Sequence, residues 1–245
     1  MSKSVLILGA KSDIAKATAM QFAKNGFNLI LVGRDVKSEL NEFSFIITQE
    51  FEQKVFLHDL DILDRDATDS FLNGIEIIPE GIISFIGLLG NQHKAINEPY
   101  HVEIILTSNF NAIVPILDYF AIQFENRSSG FIVGVSSVAG ERGRKSNYYY
   151  GSAKAAFTAY LSGLRNRLFK ANVHVITVVP GYVDTKMTKE MDLPKWITVS
   201  PAYVGEKIFN AHKNKKDFIY VPGFWKIIMA IISLIPERIF KKLNL

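Results

Sequence analysis

Short apolar runs alternate with amphipathic stretches along most of the chain. Ser4-Val-Leu-Ile-Leu8, Asn28 to Gly33, Val55-Phe-Leu57, Gly81 to Ile86, Gly130 to Val135, Val173 to Val179 and Phe218 to Val221 are continuous rather than alternating in hydrophobicity. Strands of that kind are buried on both faces, as in parallel sheets. Helical patterns separate them; the first runs through Lys24 and closes on Asn25-Gly26, a C-cap pair. Strands that alternate with crossover helices predict an α/β fold, a single doubly wound domain with a seven-stranded, mostly parallel sheet and helices on both faces. No repeat, low-complexity tract or Pro/Gly/Ser linker divides the chain. Residues 1–223 read as this domain, and 224–245 as a separate apolar and basic tail.

A doubly wound sheet places its ligand crevice beyond the carboxyl ends of its strands. Gly9, Gly33, Gly87, Ser137 and Pro180 all fall at such ends. The turn Gly9-Ala-Lys-Ser-Asp-Ile-Ala15 joins the first strand to the first helix. That is the Rossmann dinucleotide-binding arrangement, in which a pyrophosphate sits on the helix N-terminus. Its glycine pattern is thin. Asp13 and Ala15 stand where further glycines would, and Asp13 can cap the helix but would repel a phosphate.

Tyr150-Gly-Ser-Ala-Lys154 puts a phenol and an ammonium one turn apart, in a stretch from Ser146 to Lys170 that reads as helix. An adjacent cation favours the phenolate, so Lys154 is expected to bring the Tyr150 phenol, ordinarily about 10, toward neutrality as a general acid/base. Ser137, ending the run from Phe131, could hold a carbonyl oxygen for it. The bland alternative is that Tyr150 is one more ring in Tyr148-Tyr-Tyr150.

Together these residues resemble the short-chain dehydrogenase/reductase family, over Val5 to about Val221. The resemblance implies that Asp61-Ile62 lies beside an adenine, with Gly9, Lys11, Ser12, Asp13 and Ile14 around the pyrophosphate. It implies that Asn109 holds a structural water in a proton relay. It also implies that Gly87 and Pro180-Gly-Tyr-Val-Asp-Thr185, with Gly181, Val183 and Thr185, close over a nicotinamide. One departure is Phe85-Ile86-Gly87, where the family has Asn-Ala-Gly, so an asparagine that steadies the central strands is missing. Gly87-Leu-Leu-Gly90, Ala139-Gly-Glu-Arg142 and the tail from Ile235 to Leu243 resemble a narrower subfamily, that of the keto-ribose reductase subunit of decaprenylphosphoryl-ribose 2′-epimerase. That resemblance implies a keto sugar on a polyprenyl phosphate and a separate oxidase partner.

Composition narrows the classes. Absence of cysteine excludes disulfides and thiolate metal sites. The scattered histidines suggest no metal centre. With no signal peptide visible, the expected location is cytoplasmic, with the inner face of the cell membrane as the place where the tail would lie. A net charge of +4 suits phosphate-bearing ligands or an anionic surface and does not by itself imply nucleic acid. The second strand ends on Gly33-Arg34 rather than on an acidic residue that would bind ribose hydroxyls. Arg34 and Lys11 suit a 2′-phosphate, so NADPH is expected over NADH, with Asp35 as a possible surface partner for Arg34.

Arg142 and Arg144, with Lys145 in the loop before Tyr150, could receive a substrate phosphate or form a solvated surface. His93 and Tyr182 are further substrate candidates. In the tail, the apolar stretch Ile227 to Leu234 falls short of the ~20 residues that span a bilayer. Pro236 breaks it, and Arg238, Lys241 and Lys242 follow. The tail could lie in a membrane interface, cover the pocket or join subunits of a homodimer or homotetramer. The expected activity is NADPH-dependent reduction of a carbonyl, on a lipid-linked keto sugar or another hydrophobic ketone such as a 3-ketoacyl or sterol-like lipid. A non-enzymatic nucleotide-sensing module would not need all of Ser137, Tyr150 and Lys154.

Overall fold

The computed structural model describes residues 3–189 and 192–243. The chain runs β1 (Ser4–Leu8), α1 (Asp13–Lys24), β2 (Asn28–Gly33), α2 (Val36–Glu39), α3 (Asn41–Phe51), β3 (Val55–Asp59), α4 (Arg65–Asn73) and β4 (Gly81–Ser84). It continues with α5 (Gln92–Asn97), α6 (Pro99–Leu106), a π-helical turn (Thr107–Asn111), α7 (Ile113–Asn126), β5 (Gly130–Val135), α8 (Tyr148–Leu168) and β6 (Val173–Pro180). Last come α9 (Pro201–Lys213), β7 (Phe218–Val221), α10 (Trp225–Leu234) and α11 (Glu237–Phe240).

The strands form one sheet in the order β3-β2-β1-β4-β5-β6-β7. Every ladder is parallel, so the antiparallel edge that a mostly parallel sheet allows is missing. Strand order reverses between β1 and β4, and a ligand crevice opens at such a switch point. The period of two sorts each strand between two cores. In β1, Val5 and Ile7 join α1 and α9 through Phe22, Val204 and Ile208. Leu6 and Leu8 join α7 and α8 on the other face, through Ile116, Phe120, Phe157 and Leu161.

Helix positions follow local chemistry. Asp64 caps α4 by accepting the Ala67 N–H at 2.9 Å, and Ser200 caps α9 with Pro201 at its first position. Pro99–Asn126 is long and apolar enough to cross a membrane by length and composition. Ile113, Ile116, Leu117, Phe120 and Phe124 within it are fully buried against the sheet, which makes it a core element. The tail is packed on the domain rather than detached from it. Trp225 and Met229 of α10 are buried with Val138, Val179 and Ile197. Asn244 and Leu245, the end of the expected tail, lie outside the described residues.

Candidate active site

A cavity of about 710 Å³ opens over the carboxyl ends of β1, β2, β4, β5 and β6. At one end lies the turn after β1. Gly9 holds φ +74°, a left-handed conformation open to glycine, and its N–H bonds the Val32 carbonyl at 2.9 Å. Ser12, not Asp13, occupies the N-cap of α1. The Asp13 carboxylate instead accepts the Lys186 N–H at 2.9 Å, tying the first turn to the segment after β6. This corrects the capping role expected of Asp13, which still lines the cavity.

Lys11 departs from expectation as well. Its ammonium bonds Glu39 at 2.6 Å and lies 3.5 Å from Asp35. Asp35 therefore faces Lys11, not Arg34, from the start of α2, and Glu39 reaches Lys11 from the end of that helix. Arg34 is exposed at the cavity rim and has no ion pair among the described residues. Ser12, Ile14, Asp61, Ile62, Gly87, Pro180, Gly181, Val183 and Thr185 line the cavity as the sequence implied. Asp61 also accepts the Leu63 N–H, at 3.0 Å.

At the other end, Ser137 follows β5 and Tyr150 and Lys154 stand on α8, all lining the cavity. Close approach fixes their relation. A Cβ on Gly140 would lie 2.8 Å from the Ala155 nitrogen, and one on Gly151 2.6 Å from the Ala139 oxygen. Only glycine lets α8 settle this deeply on the turn after Ser137. Ser136 adds hydrogen bonds to the Lys154 carbonyl (3.0 Å) and the Thr158 hydroxyl (2.6 Å). Ser137 Oγ accepts the Ala139 N–H at 3.2 Å and shares a hydrogen bond with the Tyr150 phenol.

The buried Lys154 ammonium donates to the Ile86 and Val135 carbonyls, both at 3.1 Å. It thereby stitches the ends of β4 and β5 together where the family asparagine is missing. Asn109, in the π-helical turn, completes the repair. Its carboxamide donates to Leu88 (2.7 Å) and Ile105 (2.8 Å) and accepts the Leu88 N–H (3.1 Å). Asn109 is fully buried just behind the cavity wall, where these bonds position the Gly87-Leu88 backbone.

Electrostatics reverse one expectation. Burial pushes the Tyr150 phenol up to about 12, opposed by its hydrogen bond with Ser137. Burial pushes Lys154 down to about 7. Its ammonium points at two carbonyls, 5.8 Å from the centre of the Tyr150 ring, so desolvation outweighs the helical spacing. Tyr150 is therefore a neutral phenol at neutral pH, the form that can donate a proton.

A pH dependence of stability follows. Between about 7 and 10.5 the unfolded chain holds a proton on Lys154 that the folded chain resists. Stability should therefore rise with pH across that window, by up to about 1.4 kcal/mol per pH unit. Urea unfolding without nucleotide should show this rise in the wild type and a flatter curve in Lys154→Met. Parallel curves would refute it.

Two sequence candidates are not brought to the cavity. His93 is exposed on α5 and does not line the cavity. Arg142 is held by the tail: it donates to the Ile232 and Ser233 carbonyls, pairs with Glu237 at 3.0 Å and lies 3.7 Å over the Phe240 ring. Arg144 and Tyr182 do line the cavity, and Tyr182 meets Trp225 edge-on at 5.3 Å. Among the described residues no cluster could hold a metal ion.

The fold finds its counterpart in known proteins. Residues 3–196 match the short chain dehydrogenase family model. The chain belongs to that family. It is an NAD(P)-dependent oxidoreductase acting on CH–OH or C=O groups. An uncharacterized oxidoreductase of Mycobacterium tuberculosis is 27% identical over 243 residues, covering 98% of this chain and 96% of that protein. A short-chain dehydrogenase from Sphingobium yanoikuyae, solved in complex with NADPH, superposes with a TM-score of 0.84 at 21% identity, covering 96% of this chain and 97% of that one. A bulky-bulky ketone specific alcohol dehydrogenase from Comamonas testosteroni superposes at 0.79 and 19%, covering 96% and 95%.

The residues fit a nicotinamide nucleotide. Lys154 has three N–H donors, two of them used by carbonyls, which leaves one for a ribose hydroxyl. A Cβ on Gly87 would lie 3.2 Å from Lys154 Nζ and intrude on that site. Gly9 and the α1 N-terminus would hold the pyrophosphate.

Proposed function

We propose that the protein is an NADPH-dependent reductase of a bulky, largely apolar ketone. The observation that carries this is the Ser137–Tyr150–Lys154 set at the base of a cavity walled by Leu88, Leu89, Ile104, Tyr182 and Met187. The bound cofactor supplies hydride. Ser137 orients the carbonyl oxygen, and Tyr150, held neutral, donates the proton that the new alkoxide takes up. Lys154 holds ribose and keeps the β4 and β5 ends in register. One solved neighbour of the same fold is a bulky-bulky ketone specific alcohol dehydrogenase, which is in keeping with this substrate class. NADPH oxidation against a panel of bulky and small ketones tests the reading. Turnover confined to small aldehydes would reject it.

Preference for NADPH rests on Arg34, since Lys11 is committed to Glu39 and Asp35. A neighbour of this fold was solved with NADPH. Arg34→Ala should weaken NADPH by roughly 1.5–3 kcal/mol, as for a charge-assisted bond. NADH, without the 2′-phosphate, should be almost unaffected. Equal losses in fluorescence titrations would reject the assignment.

A ketone on a membrane lipid, such as a keto sugar on a polyprenyl phosphate, is the finer reading that the tail favours. One face of α10 packs through Trp225 and Met229, while Ile227, Ile231 and Leu234 form an exposed stripe on the other. Lys226, Arg238, Lys241 and Lys242 are exposed around it. An apolar stripe edged by cations suits an anionic membrane surface. Ile227→Glu with Ile231→Glu should abolish co-sedimentation with phosphatidylglycerol vesicles and spare reduction of a soluble ketone. Vesicle binding unchanged in the double variant would sink the membrane reading. Truncation is the poorer test, because it strips Trp225 and Met229 from a buried cluster.

A further inference from the structure

Arg142 and Arg144 are two residues apart in one loop but do different work. Arg142 clamps the tail through Ile232, Ser233, Glu237 and Phe240. Arg144 turns inward. It is 9% exposed, it lines the cavity beside Ser137, Ser146, Asn147 and Tyr150, and its Nε has no hydrogen-bond partner. The only hydrogen bond of its guanidinium among the described residues is the soft contact from Nη2 to Met229 Sδ at 3.5 Å. Among the described residues Arg144 forms no ion pair; Glu141 interacts with its charge through space, with no hydrogen bond between them. A buried guanidinium keeps its charge and loses hydration, so it is stable only when paired. Asn147 Oδ1, at the start of α8 and also lining the cavity, is a second buried polar atom without a partner.

We infer that Arg144 binds an anionic oxygen, carboxylate or phosphate, carried by the carbonyl substrate, with Asn147 beside it to accept a hydroxyl. Met229 of α10 lies against the guanidinium and roofs this subsite, so a tail clamped by Arg142 shields the ion pair from water. Low local dielectric strengthens such a pair, and the planar fork of arginine meets either anion with two parallel bonds. The substrate class is therefore a ketone that is apolar along most of its surface and anionic at one end. This assignment rests on the proposed reductase reading for the identity of the reacting carbonyl, but not for the anion site itself.

The test compares matched ketones in the full-length protein with NADPH: benzoylformate and its methyl ester, dihydroxyacetone phosphate and dihydroxyacetone, and 2-oxohexadecanoate and its methyl ester in micelles. Turnover is followed by NADPH oxidation, and binding to the NADPH complex by quenching of cofactor fluorescence. In at least one pair the anion should be preferred at least ~10-fold in kcat/KM, the scale of one charge-assisted bond. Arg144→Gln should erase that preference through KM with kcat little changed, and Arg144→Lys should keep part of it. Preference in a soluble pair places the anion on a free metabolite; preference only in the long-chain pair places it on a lipid. NADPH affinity checks that each variant is folded. No preference in any pair, or one that survives Arg144→Gln, would overturn the inference. If no ketone is reduced but the anions still bind through Arg144, the reductase reading fails and the anion site stands.

Discussion

Replacing Tyr150 with phenylalanine should lower kcat at least ~100-fold, the lower end of general-acid effects, with NADPH affinity nearly unchanged. The phenol is placed with Ser137 at the cavity by α8, and burial holds it protonated, at about 12. Its ring stays in the variant, so the packing of α8 on the Ser137 turn is undisturbed. Steady-state kinetics and cofactor titration on the same preparation separate chemistry from binding. Turnover within ~10-fold of wild type would remove Tyr150 from proton donation.

The largest stability effect is expected at Phe22, far from the chemistry. Phe22 on α1 is fully buried and meets Phe27 and Phe209 edge-on at 5.1 and 5.0 Å, with Phe131 of β5 stacked at 5.8 Å. This aromatic cluster clamps α1 between the sheet and α9 and so fixes the helix whose N-terminus faces the nucleotide. Phe22→Ala should cost 3–5 kcal/mol, about what deletion of a buried phenylalanine removes in lost transfer and cavity terms. Urea unfolding should show the midpoint falling accordingly. A loss below ~1 kcal/mol would mean that the cluster collapses around the deletion.

The strands were legible because parallel strands buried on both faces leave unbroken apolar runs, as in Val5 to Leu8 and Phe131 to Val133. Ser137, Tyr150 and Lys154 were legible because one helical turn and one strand end fix their places. The rest depended on contacts between distant parts of the chain. Asp13 meets the backbone of Lys186, 173 residues on, so its local sequence suggested a cap. Lys11 meets Glu39, 28 residues on, because α2 folds back over the first turn. Arg142 and Arg144 look alike in sequence, and only the tail, 85 to 95 residues later, separates them. The Tyr150 shift went the other way because spacing reports neighbours and not desolvation, and Lys154 is occupied by Ile86 and Val135. The bonds from Asn109 to Leu88 were not legible, because they join positions 21 residues apart across the loop after β4.

Isotope transfer tests the central claim most directly. NADPH carrying deuterium at its transferable position is incubated with the protein and a bulky aryl ketone, and the alcohol is analysed by mass spectrometry. Reductase function predicts one deuterium on the carbinol carbon of the product, in step with NADPH consumed, and almost none with Tyr150→Phe. Cofactor that binds while no deuterium reaches any ketone of the panel would contradict it.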